Sequence, residues 1–194
     1  MGDGYVGVNV PSGLEPNRYT LHIKGIPDAE SGPQSFDYFE KELVVGMPVS
    51  LAFVGNATLV DGSSDVYMIH NRYSDEFAYV QASNTNFGYD STDALYASNR
   101  SLAWEFRTAP DQTFPGGLEK LTFILGKWYD VDSYTAPDVY GITFNADNTE
   151  TETKLAAATV SGYNYEYSLT GYDGFRVRCA ASATLSRVYL YYYK

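Results

Sequence analysis

The chain has 194 residues, with 13 basic against 24 acidic side chains and a formal net charge of −11. Its 44% hydrophobic and 19% charged residues are the composition of a globular protein, and about 70% of the unfolded surface of one domain spanning 1–194 can be buried without a metal or a disulfide. The acidity excludes the lysine-rich stripe that phosphate binding needs, so no nucleic acid is expected as partner.

Met1-Gly2-Asp3-Gly4-Tyr5 has neither a basic start nor an apolar core, so no signal peptide is expected. Retention in the cell, trimming, or release by assembly or lysis all stay open. The longest apolar stretch, Leu43 to Val54, is broken by Gly46, Pro48 and Ser50 and is too short for a bilayer, so membrane insertion is not expected. Period-two alternation begins at Arg18–Lys24, with Tyr19, Leu21 and Ile23 on one side. Residues 83–99 are polar and weakly patterned and read as a long loop. Residues 93–97 and 150–158 could each form a turn or two of helix. Alternation resumes with Leu102, Trp104 and Phe106, then Leu121, Phe123 and Leu125, then Tyr163, Tyr165, Tyr167 and Leu169. Phe175, Val177 and Cys179 form another inward set, and Val188, Leu190 and Tyr192 the last. Turn signals lie between them at Asp61-Gly62-Ser63-Ser64, Pro115-Gly116-Gly117, Ser161-Gly162 and Tyr172-Asp173-Gly174. Eleven or twelve strands at this spacing predict an all-β fold, a two-sheet β-sandwich of jelly-roll kind.

Tyrosine is the compositional anomaly, with 19 copies. Strand packing accounts for many of the aromatics, but rigid amphipathic rings also suit recognition surfaces. Two places concentrate the surplus. After the Leu121–Leu125 strand come Trp128, Tyr129, Asp130, Asp132 and Tyr134, aromatics beside carboxylates in a predicted loop. Such a loop can stack a sugar ring and accept its hydroxyl hydrogen bonds, although Trp128 capping the core beside solvated aspartates is the plainer alternative. Near the C-terminus, a hairpin with Phe175, Val177, Cys179, Val188 and Leu190 inward would gather Arg176, Arg178, Arg187, Tyr189 and Tyr191 on one face. That face could meet an acidic ligand or another subunit, or the arginines could be paired with local carboxylates.

The one cysteine, Cys179, sits on an apolar strand face and is expected to be an inert buried thiol. His22 and His70 are the only histidines and lie in unlike contexts, so no zinc site is expected. Calcium is the cation the composition could serve, through Asp61–Asp65, Asp130 and Asp132, or Asn145–Asn148, and solvated turn carboxylates are the alternative. Glu105 and Glu166, each set among strand aromatics, are the carboxyls to watch for a glycosidase pair, or else plain exposed strand glutamates.

Gly174-Phe175-Arg176-Val177-Arg178, a short polar turn through Ala183 and Thr184, and Val188-Tyr189-Leu190-Tyr191 resemble the closing strands of β-sandwich carbohydrate-binding modules. The likeness covers roughly twenty residues and implies a jelly-roll fold; no ligand contact carries over with it. Three function classes stay open. The first is a non-catalytic, lectin-like carbohydrate-binding domain recognising a glycan or cell-surface polysaccharide. The second is a viral or phage tail-fibre or appendage domain for receptor binding or virion assembly, in which a homo-oligomer is expected. The third is a polysaccharide-active β-sandwich enzyme. The first two need no catalytic residue and imply an extracellular or virion-surface setting.

Overall fold

The computed structural model describes residues 13–24, 38–52, 57–70, 74–89, 95–99, 101–127, 135–147 and 149–194. Among them are sixteen strands and no helix, hence no helix long and apolar enough to cross a membrane. The first eight are β1 (Asn17–Lys24), β2 (Tyr38–Val45), β3 (Pro48–Ala52), β4 (Ala57–Leu59), β5 (Val66–His70), β6 (Phe77–Ser83), β7 (Asn86–Tyr89) and β8 (Leu95–Ser98). The second eight are β9 (Trp104–Thr108), β10 (Leu118–Lys127), β11 (Asp138–Phe144), β12 (Glu150–Lys154), β13 (Thr159–Ser161), β14 (Asn164–Ser168), β15 (Gly174–Cys179) and β16 (Ala183–Tyr193).

The strands form a β-sandwich. One sheet has the order β13-β14-β10-β16-β8-β7, with β3 also on β16; the other runs β12-β11-β15-β9-β6-β5-β4. Among the described residues β1 and β2 pair only with each other. Every described pairing is antiparallel. β16 is the hub of the first sheet: β10 lines one edge, while β8 and β3 share the other, β8 at Thr184–Ser186 and β3 at Tyr189–Tyr193.

Alternation explains the core. Leu121, Phe123 and Leu125 of β10 and Leu185, Val188 and Leu190 of β16 point inward from one sheet, all at most 3% exposed. Phe106 of β9 and Phe175 and Val177 of β15 meet them from the other, at 1% or less. Each large side chain withdrawn in this way contributes about 1.5–3 kcal/mol. Ring packing adds direction: Phe123 stacks with Tyr165 and with Tyr167 at 5.7 Å, and Phe106 meets Phe175 edge-on at 6.0 Å. Cys179 is buried, and burial pushes its thiol pKa up, as an inert cysteine requires.

Several sequence expectations change. Residues 83–99 are not one loop, since β7 and β8 pair there and β8 joins β16. The strand signal is weak because the adjacent residues Ala97 and Ser98 are both buried, at 3% each, which erases the alternation. Helical turns are absent from the described parts of 93–97 and 150–158, where β8 and β12 lie. In β12 the threonines of Glu150-Thr151-Glu152-Thr153-Lys154 favour the extended chain. Leu102 and Tyr163 lie outside the strands and are 54% and 52% exposed. The largest change concerns β15 and β16, which are not a hairpin. β15 pairs with β11 and β9, β16 with β10, β8 and β3, and the chain crosses between sheets at 180–182.

Close packing leaves several glycines without room for a side chain, among them Gly116, whose Cβ would stand 2.4 Å from Cβ of Tyr193, and Gly141. A Cβ on Gly141 would stand 2.4 Å from Cγ of the Tyr172 ring, a distance real Cβ atoms do not adopt. Gly126, also in a strand, would meet nothing nearer than 3.6 Å. Gly141→Ala should therefore destabilise the fold by about 1–3 kcal/mol, seen as a Tm lowered by roughly 2–4 °C for each kcal/mol. Gly126→Ala should stay within about 0.5 kcal/mol of the parent. Equal melting curves for the two variants would contradict this packing.

Candidate functional site

The site begins with a register shift. Thr122 pairs with Tyr189 and Ile124 with Ser186, so Arg187 and Val188 together face the single residue Phe123. Such a bulge changes which residues point inward. Leu185 is buried before it; Val188, Leu190 and Tyr192 are buried after it. Arg187 takes the strain, with a φ of 49° in the left-handed region that side chains disfavour. The outcome is an exposed Arg187, followed by Tyr189 and Tyr191, on the outer face of the first sheet.

Beside them lies a trough of about 370 Å³, within the ~300–1,000 Å³ typical of small-ligand sites. Thr122 and Ile124 of β10 form its floor, Asn164 and Glu166 of β14 one wall, Arg187 and Tyr189 of β16 the other. Lys120 stands next to it, its Nζ 3.0 Å from Glu166 Oε2 and 5.0 Å from the centre of the Tyr191 ring. The Tyr189 and Tyr191 rings are 6.4 Å apart and tilted by 34°. The Glu166 hydrogen bond holds the Lys120 ammonium above the usual lysine pKa, and the ion pair offsets the lysine's charge. Among the described residues Arg187 has no ion pair. Among the described residues the trough's uncompensated charge is therefore positive, in a chain of net charge −11.

Arg176 and Arg178, expected on the same face, lie on the outer face of the opposite sheet and are paired there. Arg178 Nε is 3.0 Å from Glu105 Oε2, its Nη2 is 3.5 Å from Glu152 Oε2, and its guanidinium lies 5.0 Å over the Tyr140 ring. Arg176 pairs with the other Glu152 oxygen. Arg107, 7% exposed, reaches Glu150 Oε1 at 2.6 Å. Three arginines and three glutamates thus pair their charges across β9, β12 and β15, with Arg176 Nε alone among their nitrogens buried without a hydrogen-bond partner, leaving little free charge to recognise anything.

The loop residues Trp128, Tyr129, Asp130, Asp132 and Tyr134 lie outside the described residues. Glu105 and Glu166 project from opposite faces of the sandwich, so this pair cannot flank one glycosidic bond. His22 is in β1, 3.1 Å from Glu40, and His70 is in β5. No three His, Cys, Asp or Glu side chains among the described residues are grouped to hold a metal ion. Asp65 accepts from Gln81 at 2.7 Å, and Asp147 from the Thr149 hydroxyl at 2.6 Å. A second cleft, of about 400 Å³, opens at one end of the sandwich by Phe114, Phe144 and Tyr172. Its arginine, Arg18, is engaged with Glu42 at 2.5 Å and with the Leu118 carbonyl at 2.8 Å. Sequence reading missed Lys120, Thr122, Ile124 and Asn164. The alternation of Leu121, Phe123 and Leu125 already turns the first three outward, and the partner strand alone was unknown.

The paired face makes a pH-dependent contribution. The Arg107 hydrogen bond holds the Glu150 carboxyl below the usual glutamate range, aided by the charges of Arg107 and Arg176 and opposed by burial. A carboxyl with a lowered folded-state pKa stabilises fully above its unfolded value, ~4.3, and the contribution is lost as pH falls through the lower folded value. Glu150→Gln should cost roughly 1–2 kcal/mol at pH 7, and its urea stability should fall less steeply than the parent's from pH 5 to pH 3. Parallel pH profiles would remove Glu150 from this account.

Comparison of the chain with protein-family models, with curated proteins and with solved structures found no match.

Proposed function

We propose that the chain is a non-catalytic carbohydrate-binding domain whose contact surface is the outer face of β14, β10 and β16. The observation that carries this reading is the outward pair Tyr189 and Tyr191 beside a trough walled by hydrogen-bonding side chains. A pyranose ring has an apolar face and a rim of hydroxyls. Tyr189 suits the face, while Thr122, Asn164 and Glu166 can exchange hydrogen bonds with the rim. Rigid strands hold all of these groups, so little ordering accompanies binding.

Trp128, Tyr129, Asp130, Asp132 and Tyr134 belong to the same proposal, because Trp128 directly follows β10, which supplies Thr122 and Ile124. Calcium at Asp130 and Asp132 is its optional element. A shallow trough buries few ligand atoms, so a single site binds weakly, and multiple copies, as in a homo-oligomer, would supply avidity. Glycans met in this way belong to an extracellular or virion-surface setting.

A glycan array probed with the multimerised protein, with calcium and with chelator, tests the reading. A reproducible subset of bound glycans is expected. Tyr189→Ala and Trp128→Ala should each weaken binding about tenfold, near 1.4 kcal/mol, with unchanged melting for Tyr189→Ala. A blank array, or undiminished binding by Tyr189→Ala, would overturn it.

A further inference from the structure

Resting on the proposed glycan site, we infer that the trough is built for an acidic sugar whose carboxylate is held by Arg187. Each other arginine with a described side chain has an acidic partner: Arg18 has Glu42, Arg107 has Glu150, Arg176 has Glu152 and Arg178 has Glu105. Arg187 alone of these five is exposed without one among the described residues, in a chain rich in carboxylates.

Its backbone points the same way. Glycine or asparagine suits a φ of 49° far better than arginine does, so an arginine stands here at a conformational cost. The bulge that imposes it also aims the guanidinium into the trough wall beside Tyr189. Among the described residues the one acid lining the trough is Glu166, which is paired with Lys120 at 3.0 Å and does not compete strongly for an incoming anion. Asn164 donates through Nδ2 to the Ser161 carbonyl at 3.1 Å, which fixes the amide beside the site.

A guanidinium presents parallel N–H donors that match the two oxygens of a carboxylate, so a uronic or sialic acid gains a bidentate contact unavailable to a neutral sugar. The net charge of −11 repels a continuous polyanion, so the fitting ligand carries sparse carboxylates, one to each site.

The experiment uses oligosaccharides ending in glucuronic, galacturonic or sialic acid, each beside its carboxyl-reduced twin and a sulfated neutral counterpart. The parent protein should bind at least one acidic member tenfold or more tightly than its reduced twin. Arg187→Gln should erase that preference while keeping the weak binding of the reduced sugar, and Arg187→Lys should restore part of it. Arg187→Asn should lose the preference too, with a Tm at or above the parent's because the left-handed backbone is relieved. Tyr189→Ala should weaken acidic and reduced sugars alike. Equal binding of acidic and reduced sugars by the parent, or an acidic preference that survives Arg187→Gln, overturns this inference and leaves the glycan reading standing. Equal, Arg187-dependent binding of sulfated and carboxylated sugars overturns the choice of carboxylate. Binding of no sugar at all overturns both readings together.

Discussion

The crossing of the chain between Cys179 and Ala183 is the constraint on which the rest of the molecule depends. Only residues 180–182 separate β15 from β16, and Ser182 turns there with a φ of 66°. The indole of Trp104 donates to the Ala183 carbonyl at 3.2 Å, and the Ser182 N–H donates to the Asn99 carbonyl at 2.8 Å, which tie the crossing to β9 and to the end of β8. Because the two strands enter opposite sheets, their apolar sides meet across the core. Their polar sides are then directed away from one another.

That divergence separates two kinds of surface. On the β15 side, charge is spent internally: Arg107, Arg176 and Arg178 meet Glu105, Glu150 and Glu152, one of them through a nearly buried guanidinium. On the β16 side, the Lys120–Glu166 pair neutralises itself and leaves two tyrosine rings and one unmatched guanidinium facing out. The first arrangement serves folding. The second tolerates a strained residue and an unpaired cation, which folding alone does not require.

Much of this was legible in the sequence. Leu121, Phe123 and Leu125, or Phe175, Val177 and Cys179, announce strands because one side of each must be dry. Alternation reports which side of a strand is buried, but it carries no information about which sheet the strand joins. A hairpin and a sheet-crossing arch have the same apolar pattern, so Arg176 and Arg178 appeared to belong with Arg187. A trace of the answer did exist. Apolar Leu185 and Val188 differ in parity, which demands a bulge between them and turns Ser186 and Arg187 outward together. β8 was illegible for another reason, since small residues such as Ala97 and Ser98 fit either face. Nothing local marks the trough, whose walls come from strands more than twenty residues apart in sequence.

The separation of the two faces can be measured without knowing any ligand. Nitroxide labels on Arg178→Cys and Arg187→Cys occupy exposed positions, and the buried Cys179 thiol resists labelling. With sheets packed about 10 Å apart and labels extending outward from both, pulsed electron-spin measurements should give a distance of roughly 20 Å or more. A distribution centred near 15 Å or less would place both arginines on one hairpin face, and the division between a self-paired face and a recognition face would be contradicted.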